Sequence, residues 1–238
     1  MNERMRMSIE PQAFKEPGLY LFPDNGKPIV LTERRVRCFS EALVDDAERL
    51  PTSVWETKEF ERCEFCPGRE TGGMCQAMTP ILTLFDELDA YVSFDAVTAV
   101  FRDENSDVIY AARTDMQGAL KYVAMMSLMR YCRRGLEFWR YFRGIQPLMT
   151  PREIAETMYL NMYWLFNGDS DKIGDAARDL KETVVTTARR QEDRLAKICK
   201  NDALMNAYVE THAATMYLTM DIERLLKESF ANFTAPGS

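Results

Sequence analysis

Short runs of β-prone residues separated by polar turn residues predict two β-hairpins in the first half of the chain. Residues 18–22 and 28–31 are short β-prone runs on either side of the Asn-Gly pair at 25–26, which favours a tight turn. Residues 97–101 and 108–111 form a second pair of such runs. Since an isolated hairpin is only marginally stable, we expect both to join one small antiparallel sheet.

Apolar residues spaced three or four positions apart predict two helices between these hairpins. The first covers residues 38–50, with Ser40 as its N-cap. The second begins at Cys75 and runs to about Leu88. Its predicted apolar face consists of Met78, Ile81, Leu82, Leu84, Phe85 and Leu88.

From Thr114 onward the pattern is helical. Thr114 and Gln117 resemble a capping box, and the strong apolar face that follows predicts the buried central helix of the fold. A further helix is predicted over residues 151–166. The sequence Thr-Pro-Arg-Glu at 150–153 provides its N-cap, and the Asn-Gly pair at 167–168 provides a left-handed stop.

Two long helical patterns follow, separated by a break at Asn201-Asp202. The short loop predicts an antiparallel helix pair, either packed on the rest of the chain or forming an interaction arm. The pattern as a whole predicts an α+β fold: a small antiparallel sheet and a cysteine knuckle packed on a mainly helical body. We divide it into a flexible arm (1–16), the hairpins, knuckle and helical body (17–166), and the helix pair (167–238).

Composition and charge argue against some classes of function. The 238 residues carry a formal net charge of -7 and a pI near 5.0, which argues against a surface that binds nucleic acid throughout. Neither an apolar run long enough to span a membrane nor a secretory signal pattern is found. We therefore expect a cytoplasmic protein without a membrane span.

The six cysteines are the strongest indication of a functional site in the sequence. Cys63 and Cys66 form a C-x2-C pair, and Cys75 follows a glycine-rich loop. In a reducing compartment such clustering indicates metal binding more often than disulfides, and two thiolates at this spacing can hold one ion. Cys132 and Cys199, in contrast, lie in helical patterns and are expected to be buried apolar residues.

A structural zinc ion normally takes four ligands, so a fourth is needed beside Cys63, Cys66 and Cys75. Cys38 is our predicted fourth ligand, and the alternatives are His212 and the carboxylates of Glu64 and Glu70. An iron-sulfur cluster also uses cysteine thiolates, but the spacing matches no known pattern for one. Three free thiols in a loop remain the alternative to a metal.

Two other functions are open. A thiol or redox enzyme would pair a knuckle cysteine with His212, the only histidine. A nucleic-acid-binding module would use the segment between Arg130 and Arg143, where five arginines are interspersed with four aromatic residues beyond Tyr131. The simpler interpretation of that segment is a short helix with core aromatics and arginines paired to acidic groups.

The knuckle and its surroundings resemble an uncharacterised bacterial family of unknown function. The resemblance rests on residues 50–55, the C-x2-C-P motif at 63–67, the Cys-Gln-Ala sequence at 75–77 and residues 92–97, and it covers about residues 18–166. It implies a β-rich start, a metal knuckle and a continuation into apolar helices. Cys63, Cys66 and Cys75 match the family pattern, whereas Cys38 has no counterpart in it.

Together these patterns predict a non-enzymatic, zinc-stabilised module that binds another protein or itself. The nucleic-acid-binding and thiol-enzyme hypotheses are the alternatives.

Overall fold

The computed structural model describes residues 14–45, 63–64, 66, 75–88, 90–103 and 108–220, and for 42–45 the backbone alone. These residues form the predicted α+β fold, with a four-stranded antiparallel sheet beside a mainly helical body. Of the predicted arm 1–16, all but residues 14–16 lie outside the described residues. Phe14 is buried, and its ring packs edge-on against Tyr20 at 4.8 Å between centroids.

Both predicted hairpins form and join in one sheet. Strands β1 (Gly18–Pro23) and β2 (Ile29–Thr32) make the first, and β3 (Ala96–Arg102) and β4 (Ile109–Asp115) make the second. The strand order is β2-β1-β3-β4. Alternate residues face opposite sides, so Leu19 and Leu21 enter the main core while Tyr20 packs with Phe14 on the other face.

Helix α1 (Glu33–Asp45) begins earlier than predicted, and its predicted N-cap is wrong. The hydroxyl of Thr32 accepts from the N–H of Arg35, whereas Ser40 lies inside the helix and donates to the carbonyl of Val36. After the knuckle, a 3-10 turn (Gln76–Met78) leads into α2 (Thr79–Leu88), which confirms the helix predicted from Cys75.

The central helix α3 (Met116–Met126) is buried along most of its length, as predicted, but Thr114 does not cap it. Thr114 pairs with Val97 in the sheet, and β4 continues to Asp115. The Asp115 carboxylate then accepts from the N–H of Gly118 at 2.8 Å and caps the helix. The helix ends in a π-helical turn (Ser127–Tyr131), followed by a 3-10 helix (Gly135–Phe142).

Within the described residues, the last three helices match their predictions; of the predicted pair 167–238, residues 221–238 lie outside them. Helix α4 (Pro151–Leu165) has a capping box between Thr150 and Glu153, and left-handed Asn167 and Gly168 follow its end. Helices α5 (Ser170–Ile198) and α6 (Ala203–Thr219) form the predicted pair. The pair packs on the rest of the chain, because one hydrophobic core contains residues from both segments, 17–166 and 167–238.

Two polar contacts connect α6 to earlier parts of the chain. The Asp202 carboxylate accepts from the backbone N–H and the hydroxyl of Ser93, at 2.8 and 3.0 Å. The buried hydroxyls of Tyr208 and Ser127 lie 2.8 Å apart and share a hydrogen bond. The second contact ties α6 to the π-helical turn.

The capping box at α4 gives a direct test of local stabilisation. Thr150→Ala removes the acceptor for the Glu153 N–H and should lower the free energy of unfolding by about 1 kcal/mol. Thr150→Ser keeps the hydroxyl and is the matched control. Urea unfolding measures both variants, and an unchanged midpoint for Thr150→Ala would show that the cap contributes nothing.

Candidate functional site

Cys63 and Cys66 form a closed turn. The N–H of Cys66 donates to the carbonyl of Cys63 at 2.8 Å. Cys63 is buried and Cys66 is partly buried. The turn therefore places the two cysteines on one side of the molecule, with Cys63 facing inward.

Cys75 enters the same region from the start of the second helix. It is buried directly before the 3-10 turn, and its carbonyl accepts from the N–H of Met78 at 3.0 Å. Cys75 is also an electrostatic neighbour of Cys63. The two ends of the loop between the cysteines are therefore close together.

Helix α5 supplies two buried polar side chains to this region. The Gln191 Nε2 donates to the sulfur of Cys75 at 3.6 Å, and Arg194 donates to Gln191 Oε1 at 3.0 Å. Arg194, with only 1% of its surface exposed, lowers the pKa of the Cys63 thiol. Residues three apart share a helix face, so α5 presents both groups to the cysteines.

Sequence reasoning missed Gln191 and Arg194 as site residues. Gln191 fell in the predicted apolar face of α5, where a polar residue among Val184, Ala188 and Leu195 was the available signal. Arg194 carried no comparable signal, because an arginine on a long helix is normally exposed.

Burial raises the pKa of the Cys63 thiol above its ordinary value, and Cys75 and Cys66 raise it further. Arg194 acts in the opposite direction but does not overcome the burial. Cys63 therefore binds its proton more tightly folded than unfolded. In the metal-free protein this stabilises the fold below pH 9 and is lost as the pH rises further.

A cleft of about 290 Å³ connects Cys63 to solvent. It is lined by Cys63, Glu64, Val185, Thr186, Arg189, Arg190 and Asp193. Charged groups of both signs surround its mouth. Of the three knuckle cysteines, Cys63 is the one that lines this cleft.

The residues considered as a fourth ligand lie in separate places. Cys38 is exposed on α1, Glu64 is exposed beside the knuckle, and Glu70 lies outside the described residues. His212 is half-buried on α6, where burial, Arg189 and Lys181 lower its pKa. Apart from burial, the pKa of Cys63 is shifted by Arg194, Cys75 and Cys66.

Cys132 and Cys199 differ from their prediction as buried helical residues. Both lie at helix ends and are partly buried: Cys132 follows the π-helical turn, and Cys199 follows α5. Within the described ranges, no group of three or more His, Cys, Asp or Glu side chains is arranged so that it could hold a metal ion.

The basic and aromatic segment forms part of the core and of the ion-paired surface. Phe138, Tyr141 and Phe142 are buried, whereas Leu136 and Trp139 are exposed. Arg130 pairs with Glu33 at 3.3 Å, and Arg134 pairs with Asp179 at 2.9 Å. Arg140 lies over the Tyr141 ring at 5.1 Å.

The same segment borders a cavity of about 490 Å³ between the sheet, α1 and α3. Leu19, Phe101 and Val123 form part of its wall. At its rim Arg34 pairs with Glu16 at 3.4 Å. The ion pairs of Arg130 and Arg134 make the segment less suited to binding single-stranded nucleic acid, which requires accessible arginines and aromatic faces.

An exposed apolar surface lies at the end of α4. It consists of Leu160, Tyr163, Trp164 and Leu165, and we call it the α4 apolar surface. Trp164 is 75% exposed, and its ring packs edge-on against Tyr163 at 6.0 Å. Residues 160–168 contain no charged side chain.

None of the helices in the described part of the chain is long and apolar enough to cross a membrane. Comparison with protein-family models finds no match. Comparisons with curated proteins and with solved structures also find none. The resemblance to a bacterial family of unknown function therefore stays a prediction.

The raised pKa of Cys63 gives a test of the thiol-enzyme hypothesis. In the metal-free, folded chain near neutral pH, iodoacetamide should modify exposed Cys38 first and buried Cys63 much more slowly. Mass spectrometry of the peptides measures the rate at each cysteine. Faster alkylation of Cys63 than of Cys38 would contradict this account and support a reactive thiol.

Proposed function

We propose that the chain is a non-enzymatic protein-interaction module, an adaptor or assembly component, stabilised by a zinc ion at Cys63, Cys66 and Cys75. The observation that carries the proposal is the hydrogen bond from Gln191 to Cys75, together with the hydrogen bond from Arg194 to Gln191. Both donors belong to one helix, which lies more than a hundred residues after Cys75 in sequence. Such donors stabilise the thiolate form that zinc requires.

The charge balance favours a metal over a free nucleophile. A zinc ion with several thiolates carries a net negative charge, which the buried Arg194 guanidinium would offset. Without a metal, burial holds Cys63 in its protonated form, which is a poor nucleophile. The described side chains are not gathered as a ligand group, so binding requires the cysteines to turn toward one another.

The zinc would act as a structural clasp. Cys63 and Cys66 precede α2, Cys75 lies directly before the 3-10 turn that leads into it, and Gln191 and Arg194 belong to the helix pair. An ion at the cysteines would therefore fix the knuckle against the body formed by α2 and α5. Structural zinc stabilises folds in this way because the ligand set does not exist in the unfolded chain.

The interaction partner we propose is a second copy of the chain, bound through the α4 apolar surface. Exposed aromatic residues such as Trp164 and Tyr163 are typical anchors of protein interfaces. A net charge of -7 opposes self-association, but this surface lacks charge along residues 160–168 and can meet its copy without local repulsion.

Metal and stability should be lost together when the knuckle is changed. Cys63→Ser or Cys66→Ser should remove zinc and lower Tm by roughly 2–4 °C for each kcal/mol of lost binding energy. Cys38→Ser, which changes an exposed residue of α1, is the control and should keep both. Elemental analysis and calorimetry measure the two quantities, and a variant that lost zinc with an unchanged Tm would refute a structural role.

Self-association should depend on Trp164. Trp164→Ala removes the most exposed residue of the α4 apolar surface and should weaken dimerisation by about 2 kcal/mol, or roughly 30-fold in Kd. Phe94→Ala is the matched control, because Phe94 is also 75% exposed but lies before β3. Sedimentation equilibrium measures the Kd. A wild-type chain that stays monomeric at roughly 100 µM would rule out this partner.

A further inference from the structure

A row of three apolar residues crosses three strands of the sheet. Leu19 of β1 pairs with Leu31 of β2 on one side and with Phe101 of β3 on the other. Residues that pair across neighbouring strands lie on the same face of a sheet. Since adjacent strands are about 4.8 Å apart, the three side chains form a continuous apolar strip about 10 Å long.

This apolar strip lines the cavity of about 490 Å³ between the sheet, α1 and α3. Val123 and Met126, three positions apart on α3, also line it, together with Trp139 of the 3-10 helix. Sites for small ligands typically have volumes of roughly 300–1,000 Å³ and are mostly apolar, with a few polar groups that orient the ligand. The cavity has both the size and the lining of such a site.

The charged side chains of the cavity lining carry an excess of positive charge, although the whole chain is acidic. Four arginines line the cavity: Arg34, Arg37, Arg102 and Arg130. The acidic residues of the lining are Glu16, Glu33 and Asp103. In a chain with a net charge of -7, this lining therefore has a formal charge of +1. One negative charge on a ligand balances it, which favours a carboxylate over a phosphate monoester with its charge of about -2.

Arg37 is the arginine of the lining that is open to a ligand carboxylate. Arg34 pairs with Glu16 at 3.4 Å, and Arg130 pairs with Glu33 at 3.3 Å. Arg37 is exposed on α1 and makes no ion pair with any residue in the described part of the chain. A guanidinium can hold a carboxylate through two parallel N–H···O hydrogen bonds.

We propose that this cavity binds one aliphatic monocarboxylate, a free fatty acid. Its tail lies along the strip of Leu31, Leu19 and Phe101, and its carboxylate accepts hydrogen bonds from Arg37. A strip that crosses three strands is long and narrow, so it suits an extended alkyl chain better than a compact ring. The site is separate from the cysteine knuckle and from the α4 apolar surface, and the proposal does not depend on either.

Isothermal titration calorimetry of the full chain tests the proposal with decanoate as the probe. Decanoate should bind once per chain. Octanoate, which is two methylenes shorter, should bind roughly 15-fold more weakly, because each buried methylene contributes about a fourfold factor. Decan-1-ol has the same tail without the charge and should bind at least about 10-fold more weakly.

The position of the carboxylate is tested at Arg37. Arg37→Gln should weaken decanoate binding roughly 10-fold and leave decan-1-ol binding unchanged, because it removes the charged donor alone. Arg178→Gln removes an exposed arginine of α5 and is the matched control, with wild-type affinity expected.

The position of the tail is tested at Met126, which is half-buried in the cavity wall. Met126→Trp fills part of the cavity and should abolish binding of decanoate and of decan-1-ol. Trp164→Ala is the control for adsorption to the α4 apolar surface and should keep the wild-type affinity. Circular dichroism checks the fold of each variant. Should Met126→Trp not fold, Arg37→Gln still decides the question, because it changes an exposed side chain.

The proposal is overturned by a wild-type chain that does not bind decanoate. Equal affinity for decanoate and decan-1-ol, or an unchanged affinity of Arg37→Gln, would overturn recognition of the carboxylate. A folded Met126→Trp chain with wild-type affinity would place the ligand outside this cavity and overturn the proposal as well.

Discussion

The buried guanidinium of Arg194 is the constraint around which the candidate site is arranged. A charged group with 1% of its surface exposed is costly unless strong hydrogen bonds and opposite charge surround it. Arg194 donates to Gln191, and Gln191 in turn donates to Cys75. The guanidinium therefore lies where the thiolates of a zinc centre would form.

The same hydrogen bonds also connect the knuckle to α5, two parts of the chain that are far apart in sequence. Of the knuckle, the structure describes Cys63, Glu64, Cys66 and Cys75, whereas α5 is a helix of 29 residues held in the main core. The contacts of Gln191 and Arg194 connect the two. The hydrogen bond between Tyr208 and Ser127 connects α6 to the π-helical turn in the same region. A metal there would stabilise the junction of hairpins, central helix and helix pair.

The fold could be predicted from sequence where its determinants are local. Thr150, Pro151 and Glu153 lie within one turn, and their capping box forms as predicted. Thr114 was misjudged because its pairing partner, Val97, is distant in sequence and extends the strand past the predicted cap. The prediction of Ser40 as N-cap was wrong for a related reason, since Thr32 at the end of β2 already caps the helix.

The site was predictable only in part. The spacing of Cys63, Cys66 and Cys75 indicated a metal knuckle, but Gln191 and Arg194 come from a helix more than a hundred residues later. Cys132 was assigned to a helix because the irregular turn that ends α3 has no clear sequence pattern. The most direct measurement is the metal content and visible spectrum of the full chain purified without oxygen. This account predicts a colourless protein with about one zinc per chain; a protein without metal, or a brown iron-sulfur protein, would contradict it.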